Sequence, residues 1–166
     1  MQQTNQPKFL SVAFTGHRYV SCLVETTVAK DLRIIIRDLY RHGGIRKFYC
    51  GMATGFDLLA AEAVLELKEQ LPDITLSAVV PYRNQSERFY PSAKAKYAQL
   101  LNKADDVVVL SEEYHSRCFL ARNDYMLKRC QLLIAYYDGV SRGGTSYTVN
   151  KARKRSMPTI NLYRSK

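Results

Sequence analysis

The sequence has no apolar run long enough to cross a membrane, because polar and charged residues interrupt its hydrophobic stretches throughout. Its first residues, MQQTNQPK, contain no apolar region of the kind found in a secretory signal. These two absences predict a cytoplasmic protein with no membrane partner. The 166 residues are 46% hydrophobic and 24% charged, which is typical of a globular domain with a substantial core.

Cysteine is scarce and has no paired spacing. The four cysteines, Cys22, Cys50, Cys118 and Cys130, form no CxxC pair, and only Cys118 has a nearby histidine, His115. One HxxC pair cannot complete a four-ligand zinc site. The sequence therefore predicts reduced thiols, no metal site and no bound cofactor.

Two phosphate-binding fingerprints are also absent. The chain contains neither GxGxxG, which is typical of dinucleotide-binding folds, nor GxxxxGK(S/T), which is typical of P-loop NTPases. A nicotinamide-dependent dehydrogenase and a P-loop NTPase are therefore both disfavoured.

Acidic residues are missing from the last sixteen positions, Lys151 to Lys166, which hold six basic residues. The whole chain has 25 basic and 15 acidic side chains and a formal net charge of +10. A basic terminal segment can attract nucleic acid, and it can equally be a solvated helix face that favours solubility. Both interpretations stay open.

Predicted strands and helices alternate along the chain. Apolar runs between turn residues predict six strands, at about residues 9–14, 45–50, 74–80, 106–110, 132–137 and 159–163. Apolar residues at helical spacing predict the intervening helices, including a helix over residues 84–104 that is broken at Pro91. The run VVVL at 107–110 predicts a strand covered on both faces. This alternation is typical of an α/β fold with a mostly parallel sheet.

Glycine-containing turns follow three of the predicted strands. They are TGHR at residues 15–18, GMATGFD at residues 51–57 and GGT at residues 143–145. The carboxyl ends of parallel strands meet at one edge of a sheet, so the three turns are expected to converge on one crevice. Backbone N–H groups and helix dipoles at such turns favour a phosphate, and Arg18 could neutralise its charge. The turns therefore predict a nucleotide or phosphorylated-sugar site.

Single residues near these turns allow two interpretations. Asp57 can cap the helix that follows it or accept a hydrogen bond from a ribose hydroxyl, and Asp138 allows the same choice. His17 can bind phosphate, act in acid–base catalysis or be a hydrogen-bonded structural residue. Arg122 and Asn123 begin a predicted helix and could face the crevice.

These motifs resemble the YpsA-like branch of the SLOG superfamily. The resembling segments are TGHR, GMATGFD, PYRNQSER at 81–88, ARNDYM at 121–126 and YYDGVSRGGTSYTV at 136–149. The resemblance spans about residues 14–152 and implies a Rossmann-like three-layer α/β/α sandwich with a mostly parallel sheet. The polar start of the chain, which reaches Pro7, predicts a flexible N-terminal tail over residues 1–8. Residues 9–166 are expected to be a single SLOG domain.

The resemblance also implies a nucleotide or nucleotide-derived ligand bound at the glycine turns. The predicted ligand-binding residues are Thr15, Gly16, His17, Arg18, Gly51, Met52, Ala53, Gly55, Asp57, Arg122, Asn123, Asp138, Gly143, Gly144 and Thr145.

The superfamily implies three functions. The first is a nucleotide-binding domain of the sensor type. The second resembles the LOG-type phosphoribohydrolases, N-glycosidases that cleave a nucleoside monophosphate to free base and ribose phosphate. The third resembles DprA, which binds single-stranded DNA. The expected partners are a nucleotide-derived small molecule and nucleic acid at the basic C-terminal segment, and a homo-oligomer stays open.

One departure from the LOG-type enzymes bears on this choice. Those enzymes carry PGGxGTxxE, whose glutamate serves catalysis, whereas the corresponding stretch here is RGGTSYTVN. Depending on the alignment, Thr148 or Asn150 occupies the glutamate position. The departure favours a binding or sensing module. A carboxylate could come from Glu87 or Asp57 instead, so the hydrolase remains an alternative and no catalytic residue is assigned.

Overall fold

The computed structural model describes residues 11–165, which form one parallel sheet between two layers of helices. Residues 1–10 and the last residue, Lys166, lie outside the described residues. They include the predicted tail and the first two residues of the predicted first strand, Phe9 and Leu10. In chain order the elements are β1 (Ser11–Gly16), α1 (Cys22–Gly43), β2 (Lys47–Cys50), α2 (Phe56–Lys68), β3 (Thr75–Val80), α3 (Pro91–Lys103), β4 (Asp106–Val109), α4 (Cys118–Leu127), β5 (Leu132–Tyr136), α5 (Gly144–Lys154) and β6 (Thr159–Asn161).

The strand order of the sheet is β4-β3-β2-β1-β5-β6, and every neighbouring pair is parallel. From β1 the chain winds outward to β4, and it then returns to place β5 on the other side of β1. Val12 pairs with Leu132 and Gly16 with Tyr136 along this junction. A reversal of winding opens a crevice outside the carboxyl ends of the two strands, because their connecting helices lie on opposite faces.

Alternating side chains of β1 explain the two helical layers. Val12 and Phe14 pack in the larger core cluster, which also contains residues of α1, α2 and α3. Ala13 points to the opposite face and packs with residues of α4 and α5, including Met126 and Val149. Successive side chains of a strand point to opposite faces, so a strand covered by helices on both sides is apolar throughout. The predicted Rossmann-like three-layer sandwich is confirmed.

Two local predictions are wrong. Residues 84–89 form turns rather than the first part of a broken helix, and α3 begins at Pro91. Proline is well suited to this first position because its missing N–H would have no partner in the helix. The strand β4 is not covered on both faces: it lies at the edge of the sheet, and Val107 is 42% exposed.

Candidate functional site

A cleft of about 460 Å³ lies at the end of β1, between the turns that follow β1 and β5. This is the crevice that the reversed winding of the sheet creates. Eleven of the fifteen predicted ligand-binding residues line it: Thr15, Gly16, His17, Arg18, Ala53, Asp57, Arg122, Asn123, Gly143, Gly144 and Thr145. The structure thus brings together parts of all three glycine turns, which are far apart in the sequence.

The turn after β1 is held against the start of α2. The N–H of Phe56 donates to the carbonyl of His17, 3.1 Å away. A Cβ at Gly16 would overlap the Phe56 side chain, so close packing alone demands glycine there. Arg18 is exposed, and its Cζ lies 4.6 Å from the centre of the Phe119 ring. The ring therefore supports the guanidinium at the mouth of the cleft by a cation–π contact.

His17 and Asp138 join the ends of β1 and β5. The Asp138 N–H donates to His17 Nε2, 2.9 Å away, so this nitrogen is the unprotonated one and the neutral ring carries its proton on Nδ1. The Asp138 carboxylate accepts hydrogen bonds from the Ser141 hydroxyl and from the N–H groups of Ser141 and Val140. These bonds hold the pKa of Asp138 well below its usual range. Asp138 does not line the cleft, and it orders the loop that leads to α5.

Most of the second glycine turn lies behind the cleft. Met52 is fully buried with a φ of 60°, a left-handed conformation that costs a residue other than glycine about 1–3 kcal/mol. Gly55 has a φ of 79°, and a Cβ there would overlap the Arg18 carbonyl. Gly51, Met52 and Gly55 do not line the cleft, whereas Ala53 and Asp57 do. Only Ala53 and Asp57 of this turn therefore face the space that a ligand would occupy.

Asp57 is 5% exposed, and only one of its two carboxylate oxygens accepts a hydrogen bond from the described residues. Its Oδ2 accepts a hydrogen bond from the Ala53 N–H at 3.2 Å, while no donor within residues 11–165 reaches its Oδ1. Burial raises the pKa of Asp57 to about 6, although the charges of Arg122 and Arg18 act in the opposite direction. The cleft is therefore lined by a carboxyl group that titrates near neutral pH.

Arg122 supplies a buried positive charge beside Asp57. Its guanidinium donates to the Gly51 carbonyl and, from Nε, to Asn123 Oδ1 at 2.7 Å. Burial lowers the pKa of Arg122, and the charge of Asp57 opposes that shift. A Cβ at Gly51 would overlap the guanidinium, so the glycine makes room for it. These contacts fix the orientation of the arginine before any ligand arrives.

The third glycine turn forms the N-terminus of α5. Gly143 has a φ of 141°, which favours glycine, and the first helical hydrogen bond runs from the Tyr147 N–H to the Gly143 carbonyl. The N–H groups of Gly144, Thr145 and Ser146 therefore precede the intrahelical ladder, and all three residues line the cleft. Unpaired N–H groups and the positive end of the helix dipole make this an anion-binding position.

The residues at the LOG-type glutamate position do not reach the cleft. Thr148 is buried, and its hydroxyl donates to the Gly144 carbonyl at 2.8 Å. Asn150 is exposed and donates to the Ser146 hydroxyl. Glu87 lines a neighbouring cleft instead. Among the described residues, Asp57 is therefore the carboxylate that lines the cleft at the end of β1.

Several lining residues were not predicted from the sequence. They are Phe14, Ser116, Phe119, Leu120, Ser141, Arg142 and Ser146. One signal could have identified Phe119, which lies three positions before Arg122 on the same helix and so on the same face. The Arg122 Cζ lies 5.9 Å from the centre of the Phe119 ring. Ser116 and Leu120 have no comparable signal.

The basic C-terminal segment lies away from the cleft. The last turn of α5 contains Lys151, Arg153 and Lys154, about 15 Å along the helix axis from the N-terminal N–H groups. Lys151 forms an ion pair with Asp124 at 2.6 Å, whereas Arg153 and Lys154 are exposed. The segment therefore presents a separate positively charged surface.

The remaining expectations concern cysteines, metals and membranes. All four cysteines are free thiols, and all but Cys22 are buried. Within residues 11–165, no three His, Cys, Asp or Glu side chains lie together in an arrangement that could hold a metal ion. None of the helices in this part of the chain is long and apolar enough to cross a membrane.

Comparison with solved structures supports the fold. DNA processing protein A from Helicobacter pylori, whose single-stranded DNA binding mode has been described, matches this chain with a TM-score of 0.64 and 21% sequence identity. The match covers 95% of this chain and 67% of the other. At this level of identity the likeness shows the fold alone.

Comparison of sequences gives the family. UPF0398 proteins from Bacillus cereus (strain B4264) and Bacillus thuringiensis (strain Al Hakam) are each 26% identical over 152 residues, which cover 90% of this chain and 79% of the relative. The model of the YspA SLOG family (YpsA) matches residues 13–163. Since this match spans nearly the whole chain and agrees with the resemblance of the motifs, the chain belongs to the YspA SLOG family.

Proposed function

We propose that this protein binds a nucleotide or nucleotide-derived ligand, with a phosphate at the N-terminus of α5. The observation that carries the proposal is the pairing of this anion-binding position with a half-satisfied carboxyl group in one cleft. Gly144 and Thr145 supply unpaired N–H groups on one side. Asp57 lines the same cleft, and one of its buried carboxylate oxygens lacks a donor among the described residues. A phosphorylated ribose supplies both an anion and hydroxyl donors.

The cationic side chains act in two ways in this proposal. Arg18 is exposed at the mouth, where it can attract and neutralise a phosphate. Arg122 is buried and already oriented by Gly51 and Asn123, so it loses little side-chain entropy when a ligand binds. A neutral sugar would leave the N–H groups of α5 without an anion, and inorganic phosphate would leave Asp57 without a donor.

Arg18→Ala is the variant that tests the proposal. Charge-assisted hydrogen bonds contribute about 1.5–3 kcal/mol, so the Kd for AMP and for ribose 5-phosphate should rise by roughly 10- to 100-fold. Isothermal titration calorimetry measures both ligands, and the thermal unfolding midpoint without ligand should stay close to that of the parent. Arg41→Ala is the matched control, because Arg41 is exposed in the last turn of α1 and does not line the cleft.

Two results would contradict the proposal. One is the absence of binding by AMP and ribose 5-phosphate to the parent protein at millimolar concentration. The other is an unchanged Kd for both ligands in Arg18→Ala.

The N-glycosidase remains a second candidate because of Asp57. A carboxyl group whose pKa is raised to about 6 can exchange a proton near neutral pH, as a general acid or base must. Chromatography of AMP after long incubation with the protein measures release of the base. Release at the rate of the buffer control would exclude this candidate for AMP.

Nucleic acid is the third candidate, and it uses a different surface. The structural neighbour from Helicobacter pylori binds single-stranded DNA, and Arg153 and Lys154 are exposed at the end of α5. Phosphate contacts made by such side chains depend strongly on salt and little on sequence. This candidate therefore predicts binding that falls steeply between low and physiological ionic strength.

A further inference from the structure

A second cleft adjoins the first. It has a volume of about 540 Å³ and shares Arg18, Ala53 and Phe119 with the cleft at the end of β1. Phe119 contacts the Arg18 guanidinium, so this pair lies at the boundary between the two clefts. A ligand that extends past Arg18 would therefore enter the second cleft.

Aromatic side chains make up much of the second cleft. Tyr82, Tyr114 and Phe119 contact one another, with ring centres 5.6 Å apart for the two tyrosines and 6.1 and 6.3 Å from each tyrosine to the phenylalanine. Tyr114 is nevertheless 62% exposed. An exposed tyrosine in a cleft next to an anion-binding position is a stacking surface for a planar ring.

Gln85 adds an unused hydrogen-bond acceptor to this cleft. It is 4% exposed, and its Nε2 donates to the Gly51 carbonyl at 3.0 Å. That bond fixes the orientation of the amide, and no donor in the described part of the chain reaches Oε1. A buried acceptor without a donor is costly, so a ligand that supplies an N–H group there gains that energy on binding.

The charges of the second cleft differ from those of the first. Besides Arg18 it contains one carboxylate, Glu87, and one further guanidinium, Arg88. Tyr90, the N-cap of α3, also lines it, but the first helical residue there is Pro91, which has no N–H to offer an anion. These charges nearly balance apart from the shared Arg18. The second cleft therefore suits a neutral polar ring better than another phosphate.

We propose that the second cleft binds the base of the nucleotide, stacked on Tyr114, and that Gln85 selects bases with an amino group at C6 of a purine or C4 of a pyrimidine, adenine or cytosine. This inference rests on the proposed function, because the phosphate in the first cleft places the base near the second. A keto group at the same position of the base would face the Gln85 Oε1 acceptor with another acceptor, so hypoxanthine and uracil are disfavoured.

Calorimetry of the full chain with AMP, IMP and ribose 5-phosphate tests the inference. AMP should bind about tenfold or more tightly than IMP and than ribose 5-phosphate. Tyr114→Ala should weaken AMP binding by about tenfold, the loss typical of one base–aromatic stack, and leave ribose 5-phosphate binding within twofold of the parent. Tyr19→Ala is the matched control, because Tyr19 is 77% exposed and lines neither cleft.

The outcomes separate this inference from the proposed function. Equal binding of AMP, IMP and ribose 5-phosphate, or an unchanged AMP affinity in Tyr114→Ala, overturns the base site and leaves the phosphate site intact. No binding of any of the three overturns both. A dA oligonucleotide that binds far more tightly than AMP, with the same dependence on Tyr114, also overturns the inference, because the aromatic surface then serves a nucleic-acid strand.

Discussion

Asp57→Asn should make this protein more stable at neutral pH. The carboxylate is buried with one oxygen unsatisfied, and burial raises its pKa from 3.8 to about 6. Asparagine has nearly the same shape, keeps an oxygen for the Ala53 N–H and carries no charge. The substitution therefore removes the cost of holding an ionised group in a site that favours its neutral form.

The magnitude follows from the two pKa values. At neutral pH the ionised carboxylate is about 3 kcal/mol less favourable in the folded chain than in the unfolded chain. Between about pH 4 and pH 6 the folded state binds more protons than the unfolded state, so the stability of the parent falls as the pH rises. The advantage of Asp57→Asn should be about 3 kcal/mol at pH 7.5 and should fall to less than about 1 kcal/mol at pH 4.

Urea denaturation followed by circular dichroism at these pH values measures the difference. In a thermal unfolding experiment, an advantage of about 3 kcal/mol corresponds to a rise in the midpoint temperature of roughly 6–12 °C for a chain of this size. Asp38→Asn is the control, because Asp38 lies exposed on α1 beside His42, and removing its charge should change stability by less than about 0.5 kcal/mol.

Two results would refute this reasoning. Asp57→Asn could be less stable than the parent at pH 7.5, or its advantage could be the same at pH 4 and pH 7.5. Either result would mean that the folded protein does not disfavour the ionised form of Asp57. If the variant is more stable but binds AMP more weakly, the Asp57 carboxylate lowers the stability of the parent and strengthens its binding of the ligand.

Two further predictions concern positions on either side of the cleft. Gly51→Ala should lower the unfolding free energy by about 1–3 kcal/mol and weaken AMP binding, because the added methyl displaces Arg122, and unchanged values of both would contradict this. Charge reversal at Arg153 and Lys154 should abolish salt-dependent binding of single-stranded DNA in a filter-binding assay while leaving AMP binding unchanged. DNA binding that is insensitive to both salt and the reversal would contradict the nucleic-acid candidate.

Local patterns in the sequence were sufficient to predict the type and order of the regular elements. Apolar runs alternate along the chain with segments whose apolar residues have helical spacing. This alternation predicted a parallel α/β sheet, and the structure confirms it. The glycine turns were predictable for the same reason, since turn residues act on the backbone within a few positions. Ligand binding by these turns stays a prediction.

Features that depend on distant contacts were not predictable in this way. The run VVVL suggested a covered strand, yet β4 lies at the sheet edge, because strand order is set by the crossovers and not by composition. Residues 84–89 have some helical periodicity, but they form turns before Pro91. The contact of Phe119 with Arg18 could not be predicted, because it joins residues about a hundred positions apart.

The sequence by itself determined that glycine turns follow buried strands, and that Arg18 and Asp57 stand in those turns. Only the tertiary structure decided that these two residues and Arg122 lie in one cleft. The return of β5 to the side of β1 brings Asp138 against His17 and the N-terminus of α5 into the same cleft as Asp57. The raised pKa of Asp57 arises from burial, opposed by neighbouring charges, and the acceptors Asp57 Oδ1 and Gln85 Oε1 are buried without a donor in the described part of the chain. Burial and neighbouring charge are properties of the assembled sheet and not of any segment alone.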